Sequence, residues 1–210
     1  MMLSNARFPV FCLLSGVAVL IWSGIAPYER GTWWMEVAPA LIAAPLMIAT
    51  YKKFPLTNLL YGLILVHAII LMIGGHYTYA RVPLFDFGDG ARNNYDKIGH
   101  FAQGFIPAIV IRELLLRTSP LRPGKWLFTI IVFSCLGISA VYELIEWIAA
   151  VLLGSGAEEF LGTQGDVWDT QKDMAWAGIG AITAMVFLSR LHDRAIKHLH
   201  AKRSVTPKTP

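Results

Sequence analysis

Charge is scarce in this sequence. Only 15% of its 210 residues are Asp, Glu, Lys or Arg, whereas 55% are hydrophobic and the mean hydropathy is +0.52. Soluble domains carry about a quarter charged residues, so this balance excludes an ordinary water-soluble globule. Cysteine is nearly absent too. Cys12 and Cys135 both lie within apolar stretches and form no CxxC pair, which favours two small buried or lipid-facing residues over a disulfide or metal site. There is no P-loop, dinucleotide fingerprint, GxSxG or kinase signature, and no internal repeat. Alternating strand-like patterning is missing, which argues against a membrane barrel. The net charge of +4 is no sign of nucleic-acid binding, because the basic residues cluster between apolar segments.

What the chain does hold is long apolar runs. Six stand out, at Phe8–Ala26, Trp34–Thr50, Leu56–Gly74, Ile98–Leu116, Trp126–Leu153 and Met174–Leu191. Each approaches or exceeds the roughly 17–25 residues a helix needs to cross the hydrocarbon core. Backbone groups in lipid must be satisfied within the segment, so these are helices. Arg7 and the run to Ile25 have the outline of a signal peptide. The small-residue site Gly24-Ile25-Ala26 is followed by Pro27, which signal peptidase rejects, so the segment reads as a retained helix.

Loop charge gives an orientation. Lys52 and Lys53, then Arg112, Arg117, Arg122 and Lys125, then Arg190, Arg194, Lys197, Lys202, Arg203 and Lys208 fall on one side. The other side has Arg30 in its first loop, no basic residue over Ser155–Asp169, and Arg81 and Arg92 balanced by Asp86 and Asp89. The positive-inside rule then predicts an all-α polytopic bundle of about six helices with both termini in the cytoplasm. Trp22, Tyr28, Trp33, Trp34, Tyr77, Tyr79, Tyr95 and Trp168 would belt the outer interface, Tyr51 and Trp126 the inner. Residues 1–195 read as one membrane domain and 196–210 as a basic, unstructured tail. That tail is a solvated positive-inside segment or, less simply, an attachment to anionic lipid. The longest connection, Gly75–Tyr95, folds back on the bundle mouth through Leu84, Phe85 and Phe87.

Three stretches break the apolar pattern. In NNYDKIGHFAQGF, Asp96 and His100 are four residues apart and share a helix face with Gln103. In YELIEW, Glu143 and Glu146 share another, and in GDVWDTQKD, Asp169 and Asp173 share a third. Each ionisable group costs about 2.5–3.5 kcal/mol in the bilayer and must face another or a water-filled cavity, so one outward-opening pocket is expected. Plainer readings stand beside this one. Asp96 and Asp166 suit helix caps, Lys97 snorkels to headgroups, and His67 is an interhelical hydrogen bonder. Glu143 and Glu146 are hardest to explain as structure, since two ionised carboxylates one turn apart repel.

One imidazole with several carboxylates suits Zn²⁺, Mn²⁺ or Mg²⁺. The expected ligands or acid/base groups are His100, Glu143, Glu146 and Asp173, with Asp169 as a further ligand. Asp96, Asp166, Gln103 and His76 would lie at the mouth or wall, where Arg81 and Arg92 could hold a phosphate. A lipid headgroup or envelope precursor is the expected ligand, and membrane lipids are the expected partners. A small proton- or ion-coupled transporter would use the same residues as a relay, and a scaffold would use them as helix glue.

The motifs GGHYTYARVPLFD, RNNYDKIGHFAQGF, YELIEW and GTQGDVWDTQKDM resemble the YjdF-type family of bacterial inner-membrane proteins across most of the chain. That resemblance implies a multi-pass protein of the cytoplasmic membrane and no particular activity. A fainter similarity links Asp96–His100, Glu143–Glu146 and Asp169/Asp173 to VanZ-like proteins, some of them associated with glycopeptide resistance. Glu146 stands where that pattern has Gln and Asp173 where it has Asn. It implies a shared pocket and no resistance phenotype.

Overall fold

The structure is a computed structural model, described over residues 3–85, 92–153 and 164–205. The described residues form seven α-helices and no strand: α1 Leu3–Gly24, α2 Arg30–Thr50, α3 Asn58–Tyr77, α4 Tyr95–Thr118, α5 Lys125–Leu153, α6 Asp169–Phe187 and α7 Ser189–Val205. Helices α1 to α5 are each long and apolar enough to cross a membrane, and α6 reaches that standard together with α7. The expected helical bundle is therefore present.

Its last segment differs. α6 stops at Phe187 and α7 leaves it at 62°, so the end of the run expected over Met174–Leu191 belongs to a second helix. Ser189 Oγ donates back to the Met185 carbonyl at 2.5 Å, a bond that bends helices. α7 stays helical to Val205, past the point where an unstructured tail is expected to begin. His192, Ala195, Ile196 and Leu199 lie on one face of it.

α4 sits at the centre, against α3, α5 and α6, while α1 and α2 pack on α3. Small residues let it in. A Cβ on Gly104 would fall 1.8 Å from the Ala177 carbonyl oxygen, and one on Gly180 would fall 2.1 Å from that of Phe101. Only glycine allows α4 and α6 this backbone-to-backbone approach. Gly178 faces Leu136 of the neighbouring α5. Leu60, Ala108, Ile109, Leu127, Ile131, Cys135, Ala181 and Ala184 form the buried apolar core between the two ends of the bundle.

The segment after α3 does fold back. Thr78 and Tyr79 both have left-handed backbone, at φ 53° and 52°, a strained choice for side chains of this size. The turn drives the Tyr79 ring between Gly74 and Gly99. A 3-10 turn at Pro83–Phe85 then sets the Phe85 ring against Tyr95, with centroids 5.3 Å apart. Phe87, Asp86 and Asp89 lie outside the described residues. Of the expected interfacial aromatics, Trp33 and Tyr95 turn inward, donating to Ser23 Oγ at 3.1 Å and to the Ile70 carbonyl at 3.1 Å. Trp22, Tyr28, Trp34, Trp126 and Trp168 are exposed.

Candidate functional site

The ends of the bundle differ in charge. Helices α2, α4 and α6 begin at the acidic end, and there the three polar stretches meet. The first turns of α4 bring Asp96 and His100 against Asp173 of α6, and single atoms from these three lie within 4.8 Å of one another. His100 Nε2 is 3.3 Å from Asp96 Oδ1 and 3.9 Å from Asp173 Oδ2. The other ring nitrogen, Nδ1, is 3.2 Å from Gln103 Oε1 and 3.8 Å from Glu143 Oε1 on α5. Nε2 thus faces two carboxylate oxygens, and something positive must stand between them, a proton or a metal ion.

All three side chains are buried, and the set is not internally satisfied. Asp173 Oδ1 and Glu143 Oε1 are buried without a hydrogen-bond partner, although Asp173 is only 3% exposed. Unpaired buried oxygens are costly, and natural structures usually satisfy them with water or an ion.

Next to the trio lies a cavity of about 210 Å³, lined among others by Glu36, His67, Tyr79, Gln103, Tyr142 and Glu146. Glu36, on α2, accepts from Tyr79 Oη at 2.9 Å and Tyr142 Oη at 3.3 Å. It is the residue that sequence reasoning misses. A lone acid in the run WWMEVAPAL has no helical partner to announce it, and its burial is the only signal. His67 is the other surprise. Its Nε2 makes no hydrogen bond, so it is a cavity wall and not the interhelical bonder that was expected.

Arg92 closes the mouth. Its guanidinium donates to Asp96 Oδ2 at 3.2 Å and to Asp169 Oδ1, and lies 3.6 Å from Asp166 Oδ2. Asp169 is therefore an arginine partner and stands outside the trio, whereas Asp96, expected at the mouth, is within it. Asp166 also takes the Lys172 ammonium at 2.5 Å, and this bond with the Trp168 N–H holds its carboxyl below the usual range. Gln164 and Asn93 exchange two hydrogen bonds, 2.8 and 3.1 Å long, that fasten the segment before α6 to the one before α4. His76 and Arg81 are elsewhere. The His76 ring stacks on Trp22, with Nδ1 2.9 Å from the Ser23 carbonyl oxygen, and Arg81 lies 4.0 Å over the Tyr28 ring.

Comparison with known proteins places the chain in a family. Residues 8–194 match the family model described as a predicted membrane protein, DUF2238. The chain belongs to the DUF2238 family. It is similar to the inner membrane protein YjdF of Escherichia coli strain K12, with 51% identity over 183 residues covering 85% of this chain and 88% of that protein. No solved structure matches. This DUF2238 protein is a multi-pass protein of the bacterial inner membrane.

A second polar cluster of the DUF2238 chain, unannounced by sequence, lies at the basic end. Glu113 is fully buried and accepts four donors: Arg117 at 2.5 Å, Thr57 N at 3.0 Å, Thr57 Oγ1 at 2.8 Å and His192 Nε2 at 2.9 Å. Arg112 reaches His192 Nδ1 at 2.9 Å and Asp193 Oδ1 at 2.6 Å. Both carboxylate oxygens of Glu113 are satisfied, so this cluster reads as a fastening of α3, α4 and α7.

Proposed function

We propose that the acidic-end pocket is a divalent-metal centre that binds a phosphate-bearing lipid headgroup or envelope precursor. The observation that carries this reading is the buried set Asp96, His100 and Asp173 with Asp173 Oδ1 left unpaired. Two carboxylates and an imidazole make a three-ligand site with room for a fourth, exchangeable ligand. Gln103, whose Oε1 is 3.2 Å from Nδ1 of His100, would orient the ring from behind. A bound ion would supply a Lewis acid able to polarise a phosphoryl oxygen. Glu36, Glu146 and the two tyrosines would hold donor groups of the ligand in the cavity, and Arg92, swung from Asp96, would meet its phosphate. We place the termini in the cytoplasm and the pocket on the outer side, because the basic end collects Lys52, Lys53, Arg122, Lys125 and the basic residues of α7.

A transporter reading needs a polar route to the other end. Leu60, Ala108, Ile109 and Ile131, all buried and apolar, stand between the pocket and Glu113, which favours a closed-bottomed site.

Elemental analysis of the purified protein is the test. Near-stoichiometric metal in the wild type, lost in both His100→Ala and Asp173→Asn, is the expected result. Absence of metal from a folded wild type after incubation with Zn²⁺, Mn²⁺ and Mg²⁺ would overturn the proposal.

A further inference from the structure

α7 is fastened to the bundle at its first turns. His192 is wholly buried between Arg112 and Glu113, and Asp193 is bound to Arg112. The half-buried Ala195, Ile196 and Leu199 continue the His192 face beyond those contacts. Arg190, Arg194 and Lys197 are exposed along the flank, and Lys202 and Arg203 follow in sequence.

The charge around it is of one sign. Lys52, Lys53, Arg122 and Lys125 are exposed at the same end. The acids there, Glu113 and Asp193, are spent on internal pairs with His192, Arg117 and Arg112. An apolar stripe flanked by unneutralised cations, leaving α6 at 62°, matches an anionic lipid–water interface in both polarity and charge.

We propose that α7 is an in-plane helix that docks on anionic phospholipid headgroups, its apolar stripe at the acyl boundary and Arg190, Arg194 and Lys197 on the phosphates. The Arg112–His192–Glu113 cluster fixes its exit angle, so the bundle presents a preformed basic surface and not a loose tail. This surface is independent of the acidic-end pocket.

The test is hydrogen–deuterium exchange of the full chain in nanodiscs of phosphatidylcholine alone and of phosphatidylcholine with phosphatidylglycerol. α7 amides beyond Ala195 are expected to exchange about tenfold or more slowly in the anionic discs, and salt at about 0.5 M is expected to erase the difference. The Arg190→Gln, Arg194→Gln, Lys197→Gln triple variant should lose the protection while α3 to α5 exchange as in the wild type. Equal α7 exchange in the two discs overturns the proposal, and so does protection that survives the triple variant. Protection in neutral discs that appears only with two copies per disc would assign the stripe to a second chain and also overturn it. The salt series on the wild type decides the matter even if the variant fails to fold.

Discussion

Adding one methyl group at Gly104 should damage the pocket without touching any of its polar residues. The new Cβ would stand 1.8 Å from the Ala177 carbonyl oxygen, a backbone atom that no rotamer change can move away. α4 and α6 must part by roughly 1.6 Å to bring that contact out to the 3.4 Å of ordinary packing. Such overpacking costs about 1–3 kcal/mol. Asp96 and His100 ride on α4 and Asp173 on α6, so the same separation opens a ligand set now spanning 4.8 Å. Metal affinity is expected to fall about 10- to 100-fold, as it does when support for a ligand is removed. The assay pairs thermal unfolding in detergent with metal titration by calorimetry. Gly137→Ala is the control, because a Cβ there meets nothing within 4 Å, and it should leave stability unchanged or raise it by about 0.5–1 kcal/mol. Gly104→Ala with wild-type melting and wild-type metal binding would refute the reasoning from packing to site.

At the basic end, Glu113→Ala strands His192, Arg117 and Thr57 in a buried site, with an expected loss of about 3–5 kcal/mol in denaturant unfolding. Trp33→Phe removes one buried bond to Ser23 and should cost about 1 kcal/mol by the same measurement. Glu29 caps α2, and the N–H groups of Thr32 and Gly31 hold its carboxyl below its ordinary value near 4.5. A lowered value means the cap contributes stability above that ordinary value and loses it as pH falls through the folded one. The stability difference between wild type and Glu29→Gln should therefore be full at neutral pH and vanish on acidification, read from paired melts. A difference independent of pH would show that the carboxylate is not the cap.

The helices were legible because lipid leaves so few solutions for an apolar run, and the trio because Asp96 and His100 advertise one face at four-residue spacing. Asp173 was legible as an acid on the next polar helix. Glu36 was not, because its partners come from a left-handed turn at Thr78 and Tyr79 and from α5, none of which periodicity encodes. The exchange of roles between Asp96 and Asp169 was equally hidden. It depends on where Arg92 lands, and a mouth arginine can choose either acid by a small change in loop path. The break at Leu188 was masked by continuous hydropathy into Leu191. At the bend stand the Ser189–Met185 bond and a contact between Glu113 and His192, 79 residues apart. His76 and Arg81, near the pocket loop in sequence, lie against the Trp22 and Tyr28 rings.

The two polar clusters make the strongest case for separating structure from function in this bundle. Both bury a histidine among charged groups, and composition alone ranks them equally. At the basic end each oxygen of Glu113 has two donors, so nothing is left to recruit a ligand. At the acidic end the oxygens outnumber the donors, Asp173 Oδ1 and Glu143 Oε1 stay unpaired, and Asp96 and His100 line a cavity of about 210 Å³. A site evolved only to lock helices would resemble the first, since an unpaired buried carboxylate oxygen costs about 1–3 kcal/mol or more. The second leaves its oxygens to water or a cation, and a cation would in addition place positive charge among Asp96, Asp173 and Glu143.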